Sequence, residues 1–457
     1  MIAQHQPHPN RPPRRAHRRR GPRRVAAALG AAALGAAGLA WSAGPAMATG
    51  VPDEPTGVPD EEVSLDLAFV DGPDLVDALI AAFTEENPQV EIDAEFTTFA
   101  DYVNQITLTM TSDSAPDIAQ FNPGAMRDLI AEDELLALDD YAEAYDWESV
   151  FPPVSLEQLT VDEEGRVFGT GQLLAVPVGL SLTGLFVNEA VAAELGIEAP
   201  PATLAELEEQ LELASEAGVV PLTVGALDSA GIHLWAALVN VMMPPEQYRD
   251  WVNGVPGATI VTDETLAATE QFAAWAEAGY YNESANGIGQ ADATAQFAAG
   301  DSLFLINGNW AAAQLHEAMG DDVGFVRFPG PEADSPARGS GFSVSYSISA
   351  RSESPDTAAA FLDFLGSEAA APIIAEGGFL PPNIDAAPDL GGVLTDLNEQ
   401  FRAVVADDGI NAFPDFAAPA MLDALVSGIQ SLIAGRMDPA AFLEDLQEIR
   451  DEFHGEG

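Results

Sequence analysis

The sequence predicts an α/β fold with two sheet-forming regions and a helical C-terminal end. Short apolar segments of strand type alternate with longer segments of helical period along most of the chain, which is typical of βα units that build parallel sheets. The chain has 457 residues, of which 47% are hydrophobic, so two or three domains with real cores are expected. The C-terminal segment 419–453 keeps a helical period with one break, at Gly435.

Three strand–helix units open the folded body. The first strand, 63–70, alternates apolar and polar residues and then becomes apolar, as expected where a strand enters a sheet. The same two periods predict helices at 74–86, 102–111 and 124–134 and strands at 90–96 and 117–121. Ligands bind at the carboxyl ends of the strands in parallel sheets. These ends are 70–72, 97–99 and 121–123.

A second alternation follows a hairpin predicted around 161–167. Its helical segments lie at 204–217, 234–243 and 265–279. Its strand-like segments lie at 173–178, 182–187, 303–306 and 342–349. The repeated alternation predicts a second sheet.

The composition excludes several functional classes. All 17 basic residues are arginine, and cysteine is absent. Without lysine there is neither a P-loop nor Schiff-base chemistry, and without cysteine there is no disulfide, thiolate metal site or cysteine nucleophile. The 73 acidic residues bring the formal charge to −56. Such a charge repels phosphate backbones, so no nucleic-acid partner is expected.

Residues 1–48 have the pattern of a secretory signal. Arginine-rich sequence precedes an alanine-rich apolar stretch at 25–44, and Ala46-Met47-Ala48 fits a cleavage site. A membrane anchor is the alternative, but the stretch is short and alanine is weakly apolar. Arg23-Arg24 leaves the Sec and twin-arginine routes both open. Since there is no cysteine to carry a lipid anchor, we predict a mature protein in the periplasm or outside the cell.

One block of the sequence is the most specific: Phe-Ala-Ala-Gly at 297–300 followed by Leu-Ile-Asn-Gly-Asn-Trp at 305–310. Further stretches lie at 115–119, 135–141, 176–177, 185–188, 199–203 and 359–365. Taken in order, these stretches resemble the extracellular solute-binding proteins (family 1) that feed ABC importers with sugars and oligosaccharides, the maltodextrin-binding-protein-like receptors. The absence of a lipidated cysteine and of lysine departs from many members.

The resemblance implies a two-lobe, periplasmic-binding-protein-like fold with hinge crossings and a ligand cleft between the lobes. Ahead of the lobes we expect the signal at 1–48 and a mobile linker at 49–62, which repeats Thr-Gly-Val-Pro-Asp-Glu. Lobe 1 is expected to comprise 63–180 and 335–385, and lobe 2 to comprise 182–334 and 386–457. The hinge crossings are expected near 179–184, 339–341 and 381–382.

Aromatic side chains are the first candidates for the ligand site. Trp310 follows an apolar strand, and a flat indole covers the CH face of a sugar ring at low entropic cost. A core position is the alternative for Trp310, and we expect one for Trp235. His233, one of three histidines after the signal, is a further candidate. Residues that could line the cleft are Phe69, Phe99 and Phe416.

Polar candidates lie at strand ends, beside aromatic residues and in the crossings. Carboxylate and amide oxygens can bind vicinal hydroxyls through several hydrogen bonds, although most of the acids are expected to be solvated surface. The resemblance implies ligand contacts from the crossings, where glycine allows close approach of the backbone. The polar and crossing candidates are Asp71, Asn122, Asp415, Ser181, Gly341 and Ser343.

No catalytic motif stands out, so we predict a binding protein without enzyme activity, cofactor or metal. His316-Glu317 lacks the second histidine of a zinc-protease helix, and no Gly-x-Ser-x-Gly elbow is present. We expect a monomer whose partners are a sugar and the permease subunits of an ABC importer. A non-sugar solute, either a polyol phosphate or a cationic amine, stays open, as does a secreted glycoside hydrolase. A phosphate would need arginine or a helix N-terminus in the cleft. The few arginines available are chiefly Arg127, Arg338 and Arg402.

Overall fold

The computed structural model describes residues 57–455, except Asp71, 383–385 and Asp389. The predicted signal at 1–48 and the first part of the predicted linker, up to residue 56, lie outside the described residues. Among the helices within that described range, none is both long enough and apolar enough to cross a membrane.

Strands and helices alternate along the described chain. The strands are β1 (Val63–Phe69), β2 (Val90–Phe96), β3 (Ile118–Gln120), β4 (Thr160–Val161), β5 (Gln172–Leu173), β6 (Val176–Leu180), β7 (Thr183–Asn188), β8 (Val220–Thr223), β9 (Ser302–Gly308), β10 (Val323–Val326), β11 (Gly339–Ser340), β12 (Ser343–Ile348) and β13 (Ile410–Asn411). The helices are α1 (Pro73–Glu86), α2 (Phe99–Met110), α3 (Pro123–Ala131), α4 (Asp139–Ala144), α5 (Trp147–Val150), α6 (Pro153–Glu157), α7 (Glu189–Leu195), α8 (Leu204–Ala217), α9 (Ile232–Met242), α10 (Pro245–Val252), α11 (Asp263–Glu277), α12 (Gln290–Ala298), α13 (Ala312–Met319), α14 (Pro355–Phe364), α15 (Ala370–Glu376), α16 (Gly392–Ala406), α17 (Met421–Ile433) and α18 (Pro439–His454).

The first sheet has five strands in the order β2-β1-β3-β12-β6. β1 runs parallel to β2 and β3, with Val63 opposite Val90 and Leu67 opposite Ile118, which confirms the parallel sheet predicted for the first three units. β12 runs antiparallel to both of its neighbours, because it enters this sheet from the opposite side on its return from the second sheet. The carboxyl ends of β1, β2 and β3 therefore share one edge.

The second sheet has four strands in the order β10-β7-β9-β8. β7 pairs antiparallel with β10 and β9, whereas β8 pairs parallel with β9. Every residue of β7 and β9 is buried, since helices cover this sheet. α8, α12 and α16 pack against its strands, as does the almost wholly buried α9.

Within the described residues, the chain passes between the two sheets at three places, and these three crossings lie side by side. It leaves the first sheet after β6, returns after β10 and leaves again after α15. The Ser181 amide donates to the Phe342 carbonyl at 2.9 Å, and the Leu180 amide donates to the Leu380 carbonyl at 2.9 Å. These hydrogen bonds join all three crossings close to their predicted positions, 179–184, 339–341 and 381–382.

Candidate functional site

Five ring-bearing side chains from four separate segments form one group, which we call the aromatic cluster. His233 comes from α9, Trp310 from the turn after β9, Phe342 from the crossing before β12, and Phe413 and Phe416 from the segment after β13. The fold brings these side chains together although they are up to 183 positions apart in sequence. The ring-centroid distances are 5.5 Å for His233–Trp310, 5.9 Å for His233–Phe413, 6.3 Å for Trp310–Phe413, 5.8 Å for Phe413–Phe416 and 4.9 Å for Phe342–Phe416.

Trp310 is placed by the glycine two positions before it. β9 is buried up to its last residue, Gly308, and the indole of Trp310 folds back across that residue. A β-carbon at Gly308 would lie 2.2 Å from Cη2 of Trp310, so only glycine permits this ring position. The indole itself is half-buried, and its buried Nε1 has no hydrogen-bond partner in the described part of the chain.

His233 is a neutral imidazole at the centre of the cluster. Its side chain is only 7% exposed, and burial lowers its pKa to about 4, so it carries no charge at neutral pH. Neither ring nitrogen has a hydrogen-bond partner among the described residues. A neutral imidazole offers one donor and one acceptor, which suits a hydroxyl group.

The N-terminus of α3 lies against the short turn Pro414–Ala417, which carries Phe416. Asn122 caps this helix, since its Oδ1 accepts from the Ala125 amide at 2.8 Å. A β-carbon at Gly124 would lie 3.3 Å from the carbonyl oxygen of Asp415. The candidate Asn122 therefore has a structural bond, and its helix joins the first sheet to the aromatic cluster.

Asp415 is a partly buried carboxyl group within this turn. Burial raises its pKa to about 7 from an ordinary value of 3.8, and a hydrogen bond from its own backbone N–H opposes that rise. The carboxyl group is therefore about half protonated at neutral pH, when it can donate as well as accept a hydrogen bond.

We expect Asp415→Asn to stabilise the protein at high pH. Between the unfolded and folded pKa values, the folded state binds a proton that the unfolded state releases, so the stability contributed by Asp415 falls as pH rises through about 4 to 7. The variant should exceed the wild type by about 1–2 kcal/mol in unfolding free energy at pH 8, and the difference should vanish below about pH 4. Denaturant titrations across this pH range measure the effect.

The matched control is Asp423→Asn, which removes an exposed carboxylate from the first turn of the neighbouring α17. It should show no gain at pH 8, because no burial cost is relieved. A difference between Asp415→Asn and wild type that stays constant from pH 4 to pH 8 would contradict the assignment.

The crossing candidates have different environments. Ser181 links two crossings through hydrogen bonds. Its Oγ donates to the Phe342 carbonyl at 2.8 Å and accepts from the Phe342 amide at 3.0 Å. Gly341 approaches the same crossing so closely that a β-carbon there would lie 2.2 Å from the Ser181 carbonyl oxygen. Ser343 is fully buried next to Phe342, and its Oγ has no hydrogen-bond partner within the described range.

The structure does not bring the candidates from the first sheet into the aromatic cluster. Phe69 is buried in the core, where its ring contacts Phe96 with centroids 5.7 Å apart. Phe99 is half-buried as the first residue of α2. Asp71 lies outside the described residues.

Two of the three arginines considered as phosphate ligands, Arg127 and Arg338, donate to backbone carbonyls. Arg127 donates to three backbone carbonyls, those of Gly165, Arg166 and Phe416. Arg338 donates to the Met243 carbonyl at 3.2 Å. Within the described ranges no group of three or more His, Asp or Glu side chains is placed to hold a metal ion.

Phe342 and Phe413 belong to the aromatic cluster, although the sequence analysis did not select either side chain as a candidate. Phe342 lies in the crossing 341–343, which was considered only for its glycine and serine. Phe413 stands three positions before Phe416, on the other side of Pro414-Asp415. Two phenylalanines flanking Pro-Asp are a weak sequence signal, and their shared position depends on contacts distant in sequence.

A family model for bacterial extracellular solute-binding proteins matches residues 78–428. Among curated relatives, a probable sugar-binding periplasmic protein of Mesorhizobium japonicum is 28% identical over 184 residues. That match covers 39% of this chain and 42% of the relative, so it spans less than half of the relative's length.

Solved structures match over more of the chain. A chitin oligosaccharide binding protein superposes with a TM-score of 0.73 at 19% identity, over 86% of this chain and 99% of that one. The GacH receptor of Streptomyces glaucescens GLA.O, solved unliganded and with acarbose, gives a TM-score of 0.70 at 17% identity, over 86% and 99% of the two chains. These superpositions confirm the predicted solute-binding-protein fold. The chain therefore belongs to the bacterial extracellular solute-binding proteins, a family that binds solutes without catalysing a reaction.

Proposed function

We propose that the protein binds a sugar or oligosaccharide at the aromatic cluster and delivers it to the permease subunits of an ABC importer. One observation carries this proposal. The apolar rings lie beside buried polar atoms that have no hydrogen-bond partner in the described part of the chain. These atoms are Nε1 of Trp310, both ring nitrogens of His233 and Oγ of Ser343. Buried polar atoms are normally hydrogen-bonded. A sugar supplies both complements, since its CH face covers a ring and its hydroxyls donate and accept.

The relatives support a carbohydrate as the solute. One structural neighbour binds chitin oligosaccharide, another binds acarbose, and the curated relative is described as probably sugar-binding. Because the structural neighbours are less than 25% identical to this chain, they establish its fold alone. The choice of solute must therefore rest on the chemistry of the aromatic cluster. That chemistry is uncharged at His233 and apolar at Trp310 and the phenylalanines.

Of the other solutes, the phosphate is disfavoured by the positions of Arg127 and Arg338, whose N–H groups already bind backbone carbonyls. A cationic amine would use Asp415 as its counter-charge. Because a cation favours the ionised carboxylate, amine binding should strengthen as pH rises through about 7. Binding of a neutral sugar should not show this rise.

The sheet topology supports two lobes bounded as the resemblance implies, with 63–180 and 335–385 in one and 182–334 and 386–457 in the other. α14 packs on β6 and β12 of the first sheet, whereas α16 packs on β10 of the second. We propose that the protein acts as a monomer and that residues 1–48 direct its export and are removed, by the Sec or the twin-arginine route.

Thermal-shift screening against neutral oligosaccharides, sugar phosphates and polyamines, followed by calorimetry, tests the choice of solute. A ligand that binds the folded state alone raises the melting temperature, and the rise grows with the logarithm of the ligand concentration relative to Kd. We expect neutral oligosaccharides to give the shift. New reducing ends after incubation with the same oligosaccharides would instead indicate a hydrolase.

Ligand binding is expected to make the protein more compact. The three adjacent crossings confine bending to one place, and a ligand that contacts both lobes selects the closed arrangement. Small-angle scattering should therefore give a smaller radius of gyration with a saturating oligosaccharide than without it. Identical scattering curves for free protein and for protein saturated by calorimetric criteria would argue against the two-lobe mechanism.

A further inference from the structure

Arg127, on α3, connects three separate segments at the edge of the aromatic cluster. Its Nη1 donates to the carbonyls of Gly165 at 2.7 Å and Arg166 at 2.9 Å, and its Nη2 donates to the carbonyl of Phe416. We propose that Arg127 is the positioning residue that holds the turn Pro414–Ala417, and with it the rings of Phe413 and Phe416, in the geometry that binds ligand. This inference rests on the sugar-binding role proposed above.

The environment of Arg127 suits backbone recognition rather than ion pairing. Its side chain is 1% exposed, and in the described part of the chain no carboxylate oxygen lies within ion-pair distance of it. Its guanidinium carbon lies 4.6 Å from the ring centre of Phe168 and 5.2 Å from that of Phe453. Burying a cation without a carboxylate in contact is costly, so the carbonyls, the two ring faces and the more distant charge of Asp162 must compensate. A planar fork of five N–H groups can bind several carbonyls at once, which a lysine cannot do.

The bond to Phe416 connects Arg127 to the rings of the aromatic cluster. The turn is closed by a hydrogen bond from the Phe416 amide to the Phe413 carbonyl, at 3.1 Å. A shift of the Phe416 carbonyl therefore moves both rings, and Phe413 in turn contacts Trp310 and His233. The turn packs on α10, α17 and α3, and Arg127 binds it from α3.

Arg450 is a matched control in the same protein. It is also fully buried, and it also donates to backbone carbonyls, those of Trp251 at 3.0 Å and Val255 at 2.5 Å. Unlike Arg127, it has a carboxylate within ion-pair distance, that of Asp451 at 3.5 Å. None of these acceptors belongs to the aromatic cluster. Truncation of Arg450 therefore reproduces the general cost of losing a buried arginine while leaving the bond between Arg127 and the Phe416 carbonyl in place.

Two measurements on the full chain test the proposal. Hydrogen exchange of the ligand-free protein, read by mass spectrometry, reports the amides of 412–418, and calorimetry with chitotetraose and acarbose reports affinity. Arg127→Met should speed exchange in 412–418 at least tenfold and weaken Kd about tenfold. Arg450→Met should speed exchange near 251–255 and leave Kd within about twofold. If Arg127→Met does not fold, Arg127→Lys keeps the charge and the apolar stem and should give the same pattern.

The outcomes separate the two proposals. Unchanged exchange in 412–418 in a folded Arg127 variant overturns the positioning role, whatever the sugar. Faster exchange with an unchanged Kd also overturns it, because the turn would then not contribute to binding. A wild-type protein that binds no carbohydrate in the thermal-shift screen refutes the proposed function instead, and the exchange measurement then still decides whether Arg127 holds the turn.

Discussion

Trp310→Ala is expected to weaken oligosaccharide binding by about 1–3 kcal/mol, roughly ten- to hundredfold in Kd. The half-buried indole lies across Gly308 and faces His233 and Phe413. Because the indole is only half-buried, one face of its ring can contact a ligand. Calorimetric titration with the best oligosaccharide from the screen measures the loss, and Trp310→Phe should recover part of it. Intrinsic fluorescence should respond to ligand in the wild type and respond much less in the alanine variant.

A role in the core would give the opposite pattern for Trp310. Large-to-small changes in a core cost about 3–5 kcal/mol of stability, while the folded fraction would bind normally. Trp147→Phe is the control, because Trp147 is fully buried beside Tyr145 and bonds to Asp363, away from the cluster. This control should lose stability and keep both its affinity and its fluorescence response. Unchanged affinity in a folded Trp310→Ala protein would remove this residue from the site.

The strands and helices that could be predicted are those with a strong local period or a clear terminus. α8, for example, begins at an N-cap threonine, Thr203, and ends at Gly218 in the left-handed conformation, and its predicted bounds, 204–217, are confirmed. β8 and β10 were not predicted, since four residues containing a proline or a glycine are too short to show a period. α16 was not predicted either. The residue before it, Gly391, has no side chain that could cap the helix, so the sequence does not mark where the helix begins.

The candidate site is less predictable than the fold, because its side chains converge through contacts distant in sequence. The sequence indicated Trp310 and His233 separately, as an aromatic residue after a strand and a rare histidine. That their rings lie 5.5 Å apart depends on α9 packing against β9. Phe69 was also a candidate because it lies at the end of a strand. Side chains alternate between the two faces of a strand, and the side chain of Phe69 lies on the face that packs into the core. The hydrophobic period of a helix or strand identifies which of its residues face the core. It does not identify which other helix or strand those residues contact.

Salt is expected to stabilise this protein strongly. After residue 48 the chain carries 9 arginines and 73 acidic residues, a balance of −64. α8 alone presents Glu208, Glu212 and Glu216 at successive turns, all exposed, and like charges four positions apart repel. The pKa of the neighbouring Tyr280 is raised first by burial and then by Glu212, Glu208 and Glu216. The structure has three ion pairs within the described residues to offset this repulsion.

Because salt screens repulsion between exposed charges, we expect the melting temperature to rise by at least about 5 °C between roughly 0.02 and 2 M NaCl. Potassium chloride should act similarly, whereas a neutral solute such as sucrose should not reproduce the steep rise below about 0.2 M, where screening changes most. The double change Glu212→Gln with Glu216→Gln should raise the melting temperature at low salt and reduce its dependence on salt. Glu208 is left intact in that variant, since its Oε1 accepts from Gln271 and Trp275. A melting temperature that is flat or falls over this range would mean that the acidity secures solubility alone.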